Sequence, residues 1–145
     1  MRIERKLFFW AGIFTGNGVI TEDITELLSM LNPELKLELW LIVDIPKTDF
    51  FRIAGSGELA GCFHKVLYLE ECGGAEAPGV FDCIVEKSGG VREECLVLDF
   101  NLKRAVAAIN NRLPAAVVID NEHIKREFLL RRLSNQVYFM HKQPV

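Results

Sequence analysis

The 145-residue chain has no apolar run approaching the roughly 20 residues needed to cross a bilayer, so no membrane span or membrane partner is expected. It also lacks a strong excess of either charge, since 17 basic residues against 20 acidic ones leave a net charge of −3. Domains that coat nucleic acid carry a basic surplus, so that class is set aside. Cysteine is scarce. Cys62, Cys72, Cys83 and Cys95 are scattered without the spacing of an extracellular framework, and a core of this size needs no cross-links, so reduced thiols and a cytoplasmic location are expected. There is no internal repeat, low-complexity segment or linker to suggest a second unit.

What is present is core material. Half of the residues are apolar and 26% are charged, which fits one well-buried globular domain over residues 1–145 and excludes disorder. At the N-terminus, Arg2, Arg5 and Lys6 ahead of Leu7 to Phe14 imitate a secretory signal. Thr15-Gly16-Asn17-Gly18 follows in place of a small-x-small cleavage site, so a core strand is the expected reading.

Strand and helix patterns alternate along the chain. Lys6 to Trp10, Leu37 to Val43, Lys65 to Leu69, Cys95 to Leu98 and Ala115 to Ile119 are short, nearly continuous apolar runs, as in strands buried on both faces. Between them, Asn17-Gly18 suits a hairpin turn, Thr21 caps a helix with Ile24, Leu27, Leu28 and Leu31 on one face, and Asn32-Pro33 stops it. Lys47 to Gly61 reads as a helix broken by Gly55 and Gly57, and Pro78 opens a helix with a Val80, Phe81, Ile84, Val85 stripe that ends at Gly89-Gly90. Asn101 caps a helix expected to turn Leu102, Ala105, Val106 and Ile109 inward, and Asn121 caps a last helix through Leu133. The tail, Ser134 to Val145, can add an edge strand at Val137 to Met140. Five strands alternating with helices predict an α/β, three-layer doubly wound, Rossmann-like parallel five-stranded sheet.

Ligands of such sheets bind at the carboxyl ends of the strands, which directs attention to Ala11 to Gly18, Asp44 to Lys47, Glu70 to Pro78, Asp99 to Asn101 and Asp120-Asn121. No phosphate-binding G-x-x-x-x-G-K-S/T loop occurs there, and Gly55-Ser56-Gly57 with Gly61 misses the dinucleotide spacing by one residue. Cys62 and His64 have no second pair to complete a zinc site. His123 and His141 lack a recognisable nucleophile and carboxylate, and Lys125-Arg126 and Arg131-Arg132 are interleaved with Glu122 and Glu127 as on a solvated helix face.

Taken together, the segments from about Lys6 to about Leu133 resemble the haloacid dehalogenase (HAD) superfamily. Glu93 to Asn101, followed by Arg104-Ala105, Ala107-Ala108 and strand Ala115 to Asp120, is similar to the family's fourth motif. Tyr68 to Glu71 with Pro78 to Phe81 is similar to the approach to the third, Leu39 to Pro46 to the second, and Lys6 to Gly18 to the first. The resemblance implies an aspartate nucleophile, a second aspartate as acid/base, a hydroxyl and a lysine on phosphate, and fourth-motif acids that help bind magnesium. Here Phe9 stands at the nucleophile position, Ala11 at the acid/base, Val43 at the hydroxyl and Phe100 beside Asp99, and no lysine lies in Gly73 to Pro78. A phenyl ring has no lone pair for phosphorus, and alanine carries no proton to give.

The short stretches after the first and third strands leave no room for the cap domains of many relatives, so a capless, HAD-like core is expected. The expected function is a catalytically inactive binding or regulatory module, needing no cofactor, that self-associates or meets a protein partner and can accept a small phosphorylated ligand. The rival is a phosphohydrolase that uses Asp44 and Asp99 with Mg2+. Asp99 itself can either keep a ligand role or cap the following helix.

Overall fold

A computed structural model describes residues 6–15 and 38–118. Five parallel strands form one sheet in the order β3-β2-β1-β4-β5: β1 (Lys6–Trp10), β2 (Glu38–Val43), β3 (Lys65–Tyr68), β4 (Cys95–Asp99) and β5 (Ala115–Val117). In register, Phe9 lies beside Leu41 on one flank and Leu98 on the other. Between their charged end residues Lys6, Glu38 and Asp99 the central strands are apolar, because both of their faces are covered. Leu7 and Phe9 pack with Leu39, Leu41, Leu96 and Leu98 in one cluster. Phe8 and Trp10 pack with Trp40, Ile42, Cys95 and Val97 in the other, the two-residue period of a strand dividing one run between two layers.

Five helices are described: α1 (Gly12–Thr15), α2 (Lys47–Phe51), α3 (Ser56–Gly61), α4 (Val80–Ser88) and α5 (Leu102–Asn110). The expected interruption between α2 and α3 falls at Gly55, whose φ of 83° only glycine adopts without strain, whereas Gly57 sits inside α3. Helix α4 starts at Val80, two residues later than Pro78, and ends on Gly89 with φ 68°. Asn101 caps α5 as expected, its Oδ1 accepting from the Arg104 amide at 3.1 Å.

Two expectations are corrected. Helix α5 buries Ala105 and Ala108, while Leu102, Val106 and Ile109 are 67%, 45% and 54% exposed. Small alanines let the helix approach the sheet closely, and the bulkier residues are left on the outer side. Cys72 and Cys83 are joined in a disulfide with Cα atoms 5.9 Å apart, so the expectation of four reduced thiols holds only for Cys62 and Cys95. Chain reversal through the left-handed glycines 73, 74 and 79 carries Cys72 to the first turns of α4.

The Asn17-Gly18 hairpin, the helix capped by Thr21, the helix from Asn121 to Leu133 and the tail strand lie outside the described residues. Among those described, no helix is long and apolar enough to cross a membrane.

Candidate functional site

The strand order reverses between β1, whose chain leads toward β2 and β3, and β4, which leads toward β5. At such a switch point the connections leave in opposite directions and open a crevice at the carboxyl ends of the strands. The ends that meet there belong to Trp10-Ala11, Val43-Asp44 and Asp99-Phe100.

Asp99 closes β4 and is fully buried. Its Oδ1 accepts from the amides of Phe100 at 2.7 Å and Asn101 at 3.0 Å, and from Arg104 Nη2 at 2.7 Å. Its Oδ2 accepts from Arg104 Nε at 2.6 Å. The carboxylate therefore tightens the turn into α5 and holds a guanidinium in a two-pronged ion pair. Arg104 Nη1 lies 3.8 Å from Asp44 Oδ2, which brings the two sequence-predicted carboxylates to opposite ends of one cation. The guanidinium carbon stands 3.6 Å from the centre of the Trp10 ring and 5.1 Å from that of Phe100. Stacking on aromatic faces while forking toward a carboxylate suits arginine and not lysine.

Three of the four positions matched to the family's catalytic groups share one apolar cluster, and the fourth, Phe100, lies apart from it. Phe9, Ala11 and Val43 are buried in the cluster on the opposite side of the sheet from Trp10. The Phe9 ring centre is 5.9 Å from that of Phe14 and 5.6 Å from that of Phe63, so it belongs to the core and does not fill the crevice. Of the three adjacent rings Phe8, Phe9 and Trp10, the one beneath the Arg104 guanidinium is Trp10. Phe100 is 42% exposed and lies against Gly12, where a Cβ would collide with its ring. Cys62 is half-buried with Sγ 3.2 Å from the Glu58 carbonyl, and His64 Nδ1 accepts from the Leu39 amide at 2.8 Å, so each has a structural role.

Arg104 is the site residue that motif reading passed over. Its signal is local: an aspartate ends a strand, an asparagine two residues on caps the helix, and an arginine in the first turn points back to the aspartate. Its second partner, Asp44, is remote in sequence and could not be inferred.

Magnesium requires several oxygen ligands in near-octahedral array. Both Asp99 oxygens are engaged by Arg104 and two amides, and a guanidinium stands between Asp99 and Asp44. Among the described residues no group of three or more His, Cys, Asp or Glu could hold a metal ion. The residues present do not fit the divalent cation that the HAD resemblance implies.

No family model and no curated protein matches the chain. Solved structures do. An uncharacterized protein from Corynebacterium glutamicum ATCC 13032 Kitasato is 16% identical, with a TM-score of 0.69 over 88% of this chain and 93% of that one. A predicted HAD-like family hydrolase from Porphyromonas gingivalis is 14% identical, with a TM-score of 0.67 over 89% of this chain and 98% of that one. What the chain shares with them is the fold. At these identities the likeness is one of architecture, and it agrees with the α/β parallel sheet seen in the strand order. In this α/β core the crevice carries an arginine clasped by two aspartates.

Proposed function

We propose that this capless HAD-like domain is catalytically inactive toward phosphoryl groups and serves as a binding or regulatory module that self-associates. The observation that carries the reading is the state of Asp99: buried, accepting four hydrogen bonds, two of them from Arg104. A buried carboxylate so engaged is not free to attack an incoming phosphorus, and Asp44 faces the same guanidinium. Phe9 and Ala11 supply neither nucleophile nor proton, and general acid-base help alone is worth about a hundred- to ten-thousandfold.

Self-association is supported by the outer side of α5. Leu102, Val106 and Ile109 follow an i, i+4, i+7 spacing and are all exposed, with Phe100 at the helix entry. The occupant proposed for this stripe is a second copy of the chain. Two such helices packed antiparallel about a two-fold axis at Val106 bring Leu102 of each toward Ile109 of the other, a self-complementary arrangement. A cytoplasmic setting belongs to the same reading, and its check is the distribution of the protein between cell fractions.

The test is a screen of phosphate monoesters with Mg2+, paired with calorimetric titration of the metal. No turnover and no binding heat are expected. Turnover abolished by Asp44→Asn, a substitution that spares the Asp99 and Arg104 pair, would establish the rival hydrolase. Light scattering on the wild type and on Val106→Glu tests self-association, and a wild-type monomer at high concentration would end that part.

A further inference from the structure

We propose that a cleft beside the crevice binds a small organic anion with a compact apolar body. The inference rests on the reading of the domain as a binding module and names the chemistry of what it binds.

The cleft has a volume of about 360 Å3, within the range of small-molecule sites. It lies between the loop that follows β3 and the start of α5, and Val80 and Phe81 of its lining belong to the Trp10 layer. Phe9, Ala11 and Val43, the positions matched to the family's catalytic groups, belong to the opposite layer. The cleft is therefore a separate feature from the inherited catalytic positions.

Its lining is polarised. Val80 and Phe81, both buried, present an apolar wall with neighbouring alanines. Asn101, Lys103 and Arg104 form the wall contributed by α5. Arg104 is already neutralised by Asp99, and the Asn101 Oδ1 is committed to the Arg104 amide, which leaves the Asn101 side-chain NH2 as a donor. Lys103 is exposed and forms no ion pair among the described residues. Glu76 is the single acid of the described lining. Lys103 and the Asn101 amide thus place positive charge and a donor on the α5 wall, while the facing wall is apolar apart from the exposed Glu76, a division that matches an anionic head held at α5 and an apolar body.

An unmatched donor lies behind the cleft lining. The Trp10 indole N–H is buried and has no hydrogen-bond partner among the described residues. Leaving a buried donor unmatched costs about 1–3 kcal/mol, so such a group calls for an explanation. Trp10 packs in the same cluster as Val80 and Phe81 and lies under the Arg104 guanidinium, so it sits behind residues that line the cleft. The Cys72 to Cys83 disulfide closes the loop that carries Glu76 and holds that wall in place before a ligand arrives, reducing the ordering cost of binding.

The experiment titrates the full chain with benzoate, phenyl phosphate and inorganic phosphate, reading thermal midpoint and tryptophan fluorescence. Benzoate and phenyl phosphate should give saturable responses, with inorganic phosphate weaker by about tenfold or more for want of an apolar body. Lys103→Glu should weaken phenyl phosphate about tenfold and Glu76→Lys should strengthen it, both at exposed positions where folding is not at stake. The absence of any saturable response, equal affinity for inorganic phosphate, or responses that neither variant alters would each overturn the proposal. Hydrolysis of phenyl phosphate with binding intact would instead overturn the inactive-module reading, so the two failures are distinguishable.

Discussion

Arg104 and Asp99 form a buried, two-pronged ion pair, with Nε to Oδ2 at 2.6 Å and Nη2 to Oδ1 at 2.7 Å, at the end of the β4 strand. The pair joins the sheet to the first turn of α5 and sets a guanidinium between two carboxylates at the switch point. This puts a covalently tethered cation among acids, with its charge delivered by the chain itself.

Removing one partner should be costly. Arg104→Ala leaves Asp99 buried without its counter-charge and is expected to lower stability by about 3–5 kcal/mol in urea unfolding. Arg104→Lys should recover only part, because an ammonium cannot fork or stack on Trp10 as the guanidinium does. A double replacement by Asp99→Leu and Arg104→Met should be far milder than Arg104→Ala, since no unpaired charge remains.

Gly12 and Phe100 should behave as a coupled pair. Gly12→Ala forces the exposed Phe100 ring away from its place beside Arg104, and because the ring edge can swing outward the loss should stay near 1 kcal/mol. In the Phe100→Ala background the same change should cost markedly less. Additive losses in a double-mutant cycle would show that the contact is not what constrains Gly12.

The two free thiols should differ in chemistry. Burial pushes the Cys95 thiol up to about 11, and the Lys6 charge offsets this only in part. Burial also raises Cys62, which is half-buried. Iodoacetamide should label Cys62 first in native protein and Cys95 only on unfolding. For the linkage, the native state keeps the Cys95 proton where the unfolded state has lost it, so its contribution is full below about pH 9.0 and falls as pH rises toward about 11. The acid limb has the opposite sign. Burial alone would raise the Glu38 carboxyl, but hydrogen bonds from Lys6 and Trp40 outweigh it and hold the group below its ordinary range. Its contribution is present above pH 4.5 and is lost as pH falls further. Denaturation midpoints across both ranges, with Glu38→Gln flattening the acid limb, check the assignment.

Reducing Cys72 to Cys83 should loosen the wall that carries Ala75 to Ala77. The bridge spans a sequence separation of 11 residues. Loops of this length are worth about 2–4 kcal/mol when cross-linked. Cys83→Ser is expected to lower stability by that order, and limited proteolysis should begin in residues 73–79, where three glycines have positive φ. Equal cleavage there with the disulfide intact or reduced would show that the link does not restrain the loop.

Much of the architecture was legible because each segment carried its own signal. The runs Leu7–Trp10, Leu39–Val43 and Cys95–Leu98 are apolar at every position, which requires cover on both faces. Asn101 capped α5, and Gly55 and Gly89 marked ends, because caps and left-handed turns depend on a few adjacent residues. The same continuity hid the site. With no polar alternation in Phe8-Phe9-Trp10, nothing local says which ring turns toward the crevice, and the sheet assigns Trp10 to one layer and Phe9 to the other. The orientation of α5 was hidden similarly, since Leu102, Val106 and Ile109 form an apolar stripe whether or not anything covers them.

The order of strands and helices, and hence a parallel sheet with its crevice at the carboxyl ends, was determined by the chain's own pattern, because periodicity and capping act over a few residues. Tertiary structure alone decided that Arg104 reaches Asp44, that Phe9 is core, and that Cys72 meets Cys83. Each of those depends on how segments distant in sequence, or opposite in phase, are brought side by side when the layers close.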